Sequence, residues 1–112
     1  MSNVKLTKDS DILICAIYKY YLENRKKGFS KSYCKNLDSS QTIQKNIMPK
    51  WSFEDVDETC RELARAHLLN CDYADDVVYS VFLTDEAILY MENRFKNGLS
   101  ELLDYFQKIK FW

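Results

Sequence analysis

Glycine, proline and histidine are scarce in this sequence of 112 residues, which contains two glycines, one proline and one histidine. Few chain breakers favour helices joined by short connections. The four cysteines include no CxxC pair, and His67 is the only histidine that could assist them, so the ligand set of a structural zinc site is missing. There is also no glycine-rich phosphate loop and no paired-carboxylate motif. We therefore expect reduced thiols, no metal, no cofactor and no enzymatic activity.

Long apolar runs are also missing. The longest, residues 12–18, is far shorter than the roughly 20 residues that cross a bilayer. Near the N-terminus, Lys5, Lys8 and Asp9 interrupt any hydrophobic signal segment. These features predict a cytoplasmic protein without a membrane partner.

What the sequence does contain is enough apolar material for one domain with a core, since 46% of its residues are hydrophobic and 14% aromatic. Its charge is divided unevenly. Residues 1–50 hold ten Lys/Arg against four Asp/Glu, and residues 51–112 hold six against thirteen, which gives net charges of +6 and −7. Such asymmetry indicates either a basic half that faces phosphate or two complementary surfaces that meet in an oligomer.

The hydrophobic pattern predicts three helices, a hairpin and a final helix. The first helix begins near residues 7–10 and ends at about Arg25, the second covers residues 39–48 before Pro49, and Ser52 caps the third. Residues 25–38 read as a loop or a short edge strand. "LLNCDY" and "VVYSVFL", separated by "ADD", predict the hairpin, and Thr84 caps a long last helix.

The apolar side of the third helix predicts the core. Phe53, Val56, Cys60 and Leu63 recur at helical spacing, and we expect them to pack against the first helix at Ile14, Ile17 and Tyr21.

Two segments carry a resemblance to the winged-helix (winged helix-turn-helix) superfamily. "SFEDVDETCRELARAHLL" resembles its third helix, and "VYSVFLTDEAILYMENRF" resembles the way small bacterial YjcQ-type proteins leave the wing. The likeness extends over most of residues 7–97. It implies a mainly α fold with a small β-hairpin (α+β), as a winged-helix domain at residues 1–97 followed by a C-terminal helical extension at residues 98–112. It also implies a regulatory, DNA-binding protein with the third helix in the major groove.

The charges of that third helix oppose the usual pose on DNA. Its predicted outward face carries Glu54, Asp55, Glu58 and Glu62 against the single base Arg65. Because affinity for DNA comes mainly from neutralising phosphates, this face would be repelled. These four acids would instead suit a basic protein partner, which is the alternative function.

If DNA is bound, the basic first half has to bind it. Phe29 and Tyr33 interleave with its bases, as in proteins that bind single strands, although a solvated loop that protects a sheet edge gives the same pattern. The candidate nucleic-acid-binding residues are Arg25, Lys26, Lys27, Lys31, Lys35, Lys45 and Lys50.

The C-terminal stretch predicts a homodimer. Its apolar residues form a wide helical stripe that would leave a large exposed face on a monomer, unless the helix folds back on the first helix instead. Gly98 would allow a bend or break before it. The predicted dimer residues are Leu99, Leu102, Leu103, Phe106, Ile109 and Trp112.

Overall fold

Hydroxyl side chains mark where five of the helices begin. In the computed structural model, which describes residues 4–109, Thr7, Ser30, Ser39, Ser52 and Thr84 each accept a hydrogen bond from the backbone N–H three residues further on. Each cap satisfies one of the N–H groups that a helix start leaves without a partner. The elements are α1 (Lys8–Lys26), α2 (Lys31–Lys35), β1 (Asn36–Asp38), α3 (Ser40–Asn46), α4 (Phe53–Arg65), β2 (Leu69–Ala74), β3 (Val77–Leu83), α5 (Asp85–Arg94) and α6 (Leu99–Ile109).

The three strands form one antiparallel sheet in the order β1-β3-β2. The hairpin closes through Asp75 and Asp76, whose φ angles of 52° and 62° are those of a type I′ turn. Aspartate tolerates this left-handed backbone better than most residues. At the other end of the hairpin Leu69 pairs with Leu83. The predicted hairpin is confirmed.

The core lies between α1, α4 and the sheet. Val56, Cys60 and Leu63 are fully buried in the same apolar cluster as Ile14 and Ile17, as predicted. The prediction for Phe53 is wrong, because it is the first residue of α4 and is only half-buried. Trp51, just before the helix, packs on the cluster instead.

Residues 25–38 contain more structure than predicted. The edge strand is present as β1, but a short helix, α2, precedes it. The Ser30 cap and the burial of Cys34 account for that helix, because the turn places one thiol inside and leaves the polar side chains outside. A capped single turn has no apolar period that sequence reasoning could have detected.

The predicted long last helix is divided in two. α5 ends at Arg94, with Phe95 as its C-cap, and Gly98, at a φ of 69°, turns the chain before α6. α6 then packs on α1, where Tyr105 donates a hydrogen bond of 2.6 Å to Asp11 and Arg94 forms a bidentate ion pair with the same carboxylate.

The fold is thus mainly α with a small antiparallel sheet. In the part described, none of the helices is both long and apolar enough to span a membrane.

Candidate nucleic-acid interface and the acidic face

The predicted basic stretch lies at the end of the sheet opposite the hairpin turn. Lys35 of α2 forms an ion pair of 2.6 Å with Asp85, just beyond β3, and Asn36 pairs with Phe82. The turn at Asp75 and Asp76 precedes β3, whose seven residues span about 20 Å. A ligand bound to the basic stretch would therefore not contact the hairpin turn.

Two of the predicted basic residues are engaged within the chain. Arg25 donates to the carbonyl of Phe29 at 3.1 Å and so holds the connection after α1. The hydrogen bond from Lys35 and its charge lower the pKa of Asp85 below its usual range. Both side chains are thus held by intramolecular contacts that binding to phosphate would have to replace.

Three other bases, Lys26, Lys27 and Lys31, form what we call the lysine group. All three are exposed, and within residues 4–109 no acid lies within ion-pair distance of any of them. An unpaired exposed ammonium keeps its full charge for a ligand, so these residues are the strongest candidates for phosphate contacts.

Lys45 and Lys50 belong to other elements. Lys45 lies on α3, roughly 200° around the helix from the buried Ile43. Lys50 is exposed in the connection between α3 and α4. The seven predicted residues are therefore distributed over α1, α2, α3 and two connections, and the lysine group is only part of them.

A polar cavity of about 240 Å³ opens beside the aromatic residues of the basic stretch. Phe29 and Tyr33 are exposed and their ring centroids lie 4.7 Å apart. Tyr33 also lines the cavity, which we call the asparagine cavity because Asn24, Asn36 and Asn46 contribute to its wall. Sequence reasoning missed this site, since the three amides come from α1, β1 and α3 and share no motif.

The acidic face of α4 is smaller than predicted. Glu54, Asp55 and Glu58 are exposed as expected, and Glu58 lies 3.8 Å from Arg65. The prediction for Glu62 is wrong. Its carboxylate accepts hydrogen bonds from Thr7 at 2.9 Å and Ser10 at 2.7 Å, so it joins α4 to the start of α1 and is only partly exposed.

Asp57 is a buried acid that organises the same region. It accepts hydrogen bonds from the Ser40 hydroxyl at 2.7 Å, the Val78 N–H at 3.0 Å and Arg61 Nε at 3.0 Å. Burial would raise the pKa of Asp57, but these hydrogen bonds together lower it below its ordinary value. Arg61 also donates to the carbonyl of Asp76 at 2.5 Å and lies over the Tyr73 ring, so the carboxylate ties α3, α4 and β3 together and fixes the hairpin turn.

The predicted C-terminal stripe is partly used inside the chain. Leu102 and Phe106 are fully buried in the core against α1, which is the fold-back alternative to an exposed face. Leu99 and Ile109 are half-buried, and Leu103 is 39% exposed. Trp112 lies outside the described residues. Dimerisation itself stays a prediction, and among the described stripe residues only Leu103 is exposed.

The titratable groups within residues 4–109 form no cluster of three or more that could hold a metal ion. The four thiols are free, and three of them are buried. Burial raises the pKa of Cys71 to about 11 and that of Cys60 further, so both thiols stay protonated at neutral pH and are poor nucleophiles. His67 is exposed just after α4 at a φ of 65°.

Comparison of the chain with models of protein families, with curated proteins and with solved structures gives no match.

Proposed function

We propose that this chain is a non-enzymatic winged-helix regulatory module that associates with nucleic acid through the lysine group and not through α4. The order of its elements supports the fold assignment, since α1, α3 and α4 precede the β2–β3 hairpin and an edge strand completes the sheet. A cytoplasmic location follows from this proposal, because that is where a regulatory module would meet nucleic acid.

One observation carries the proposal, namely that the lysine group is exposed and unpaired within residues 4–109. Phosphate binding is the interaction that such ammonium groups favour, since each contact releases condensed counterions. By contrast, α4 and the hairpin hold eight acids against Arg61 and Arg65, a net charge of −6. Long-range repulsion would keep that face away from the duplex.

The small size of the lysine group also limits how tightly nucleic acid can be bound. Three phosphate contacts predict a slope of log K against log salt of about −2 for a single strand and about −3 for a duplex. Such shallow slopes describe a weak association of low sequence specificity. They do not describe an operator-binding protein that makes six or more phosphate contacts.

The acidic face supports a second function, the binding of a basic protein. Glu54, Asp55 and Glu58 are exposed on α4, and Asp75 and Asp76 are exposed at the hairpin turn. Arg61 holds this turn against α4, so the acids of the two elements form one rigid surface. A basic segment would find complementary charge there.

Charge reversal on each surface separates the two functions. One variant of the full chain changes Lys26, Lys27 and Lys31 to Glu, and its matched control changes Glu54, Asp55 and Glu58 to Lys. All six positions are exposed, so neither variant disturbs the core. Fluorescence anisotropy with labelled duplex and single-stranded DNA at about 50 mM salt measures binding, because low salt strengthens phosphate contacts.

We expect the lysine variant to lose binding and the acid variant to keep or strengthen it. Loss of binding in the acid variant alone would contradict the proposed surface. If the unmodified chain binds neither form of DNA, the nucleic-acid proposal is wrong and the acidic face becomes the better candidate.

A further inference from the structure

We infer that the asparagine cavity is a binding site for one unpaired nucleobase, so that the nucleic acid recognised is single-stranded. The inference rests on the proposed function, because the lysine group would hold the phosphates of the same strand. It adds a second and separable contact, made to the base.

The size of the cavity suits a single ring system. Its volume of about 240 Å³ lies just below the roughly 300–1,000 Å³ of sites for drug-sized ligands. A whole nucleotide would not fit inside it, but a base could enter and leave its sugar and phosphate at the rim. Ile43 of α3 gives the cavity an apolar floor.

The walls of the cavity suit the edge of a base. Within residues 4–109, the side-chain amides of Asn24 and Asn46 make no hydrogen bond to the protein. Each amide offers both a donor and an acceptor, the pairing that base edges require. The one acid in the wall, Asp38, already accepts a hydrogen bond of 2.7 Å from Thr42, so its charge is partly compensated.

The rim suits stacking and phosphate contact. Tyr33 is 59% exposed, lines the cavity and lies against Phe29, so a strand that leaves the cavity meets two aromatic faces. Of the lysine group, Lys27 follows Asn24 by three residues, the spacing that shares a helix face, whereas Lys26 and Lys31 lie two residues from Asn24 and Tyr33 and face away. Proteins that bind single strands combine these two features, a row of aromatic faces and a basic track for the backbone.

The experiment compares three labelled DNA probes on the full chain at about 50 mM salt, where phosphate contacts are strong. One probe is a short single strand with all its bases, the second is the same strand made of abasic nucleotides, and the third is the corresponding duplex. The abasic strand keeps every phosphate but has no base to place in the cavity. We expect it to bind about 5- to 150-fold more weakly than the normal strand, the range that corresponds to the stacking of one base, about 1–3 kcal/mol.

Variants then locate the contact. Y33A and N24L should remove the preference for the normal over the abasic strand, whereas Y33F, which keeps the ring, should retain it. Y79A is the matched control, because Tyr79 is a similarly exposed tyrosine on β3 that does not line the cavity. Y79A should bind both strands as the unmodified chain does.

Each contrary result has its own meaning. Equal binding of normal and abasic strands overturns the base site but leaves the phosphate contacts of the proposed function intact. Duplex binding as tight as single-strand binding also overturns it, as does a preference that survives both Y33A and N24L. Absence of binding to all three probes overturns both the base site and the proposed function.

Discussion

Replacing Asp57 with alanine should destabilise the fold strongly, although the side chain ends near the surface. The change removes the acceptor of the Val78 N–H, and Val78 is completely buried. The Ser40 hydroxyl also contacts the Val78 carbonyl at 3.0 Å, so it keeps one acceptor when the carboxylate is lost. The orphaned N–H is therefore the main cost.

The magnitude follows from the groups left behind. A buried donor without a partner costs about 1–3 kcal/mol. The ion pair with Arg61 is solvent-exposed on the arginine side and adds little. We expect D57A to lower the free energy of unfolding by about 1–3 kcal/mol, which at a urea m-value of about 2 kcal/mol/M moves the midpoint by about 0.5–1.5 M.

Urea unfolding followed by circular dichroism measures this change, with two variants for comparison. D57N keeps an oxygen that can accept from Val78 and should cost clearly less than D57A. Glu58→Ala removes an exposed acid of the same helix and should cost less than about 0.5 kcal/mol. Equal costs for D57A and Glu58→Ala would refute the role given to the buried carboxylate.

Three further outcomes are expected. Leu63→Ala should lower the free energy of unfolding by about 2–5 kcal/mol, and a loss below about 0.5 kcal/mol in urea melts would mean that α4 is oriented differently. Burial raises the pKa of Asp11, but the hydrogen bonds from Arg94 and Tyr105 outweigh it and lower that pKa. The stability that the Asp11 carboxylate contributes is therefore present above pH about 4 and is lost as the pH falls through the folded pKa. D11N should flatten the dependence of stability on pH in that acid range. If the chain dimerises, Leu103→Ser should reduce the sedimentation mass from about twice 13.3 kDa to 13.3 kDa without changing stability, whereas a monomeric unmodified chain at high micromolar concentration would contradict the dimer.

The C-terminal segment also shows why part of the fold could be predicted and part could not. The spacing of Leu102 and Phe106 predicted a helix with an apolar stripe, and α6 is that helix. Whether the stripe meets α1 or a second chain depends on the break at Gly98 and on the Asp11–Arg94 ion pair, whose members are 83 residues apart. Periodicity describes which side of a helix is apolar but not which surface lies opposite it.

The same limit applies to the candidate sites. A helical projection placed Glu62 on the outward face of the third helix, and it could not include Thr7 and Ser10, whose hydroxyls approach from α1. The asparagine cavity could not be predicted for the same reason, because Asn24 of α1 and Asn46 of α3 are far apart in sequence and line one cavity only in the folded chain. The lysine group was predictable, since it lies within six consecutive residues between the end of α1 and the start of α2.

The acidity of α4 has structural explanations that weaken it as evidence for a basic partner. Asp57 joins α4 to α3 and β3, and Glu62 joins it to α1. Glu54 and Asp55 lie in the first helical turn, where negative charge is stabilised by the helix dipole. Only Glu58 has no such explanation, and it lies beside Arg65.

The lysine group differs in this respect. Its three ammonium groups form no ion pair within residues 4–109, and three like charges within six residues repel one another. The structural contributions of this charge are small by comparison, because Lys26 lies in the last turn of α1, where the helix dipole favours it, and Lys31 only helps to lower the pKa of Asp85 from a distance. We therefore propose nucleic acid ahead of a basic protein as the partner, because the lysine group forms no ion pair within residues 4–109, whereas the acids of α4 have structural uses or a basic neighbour.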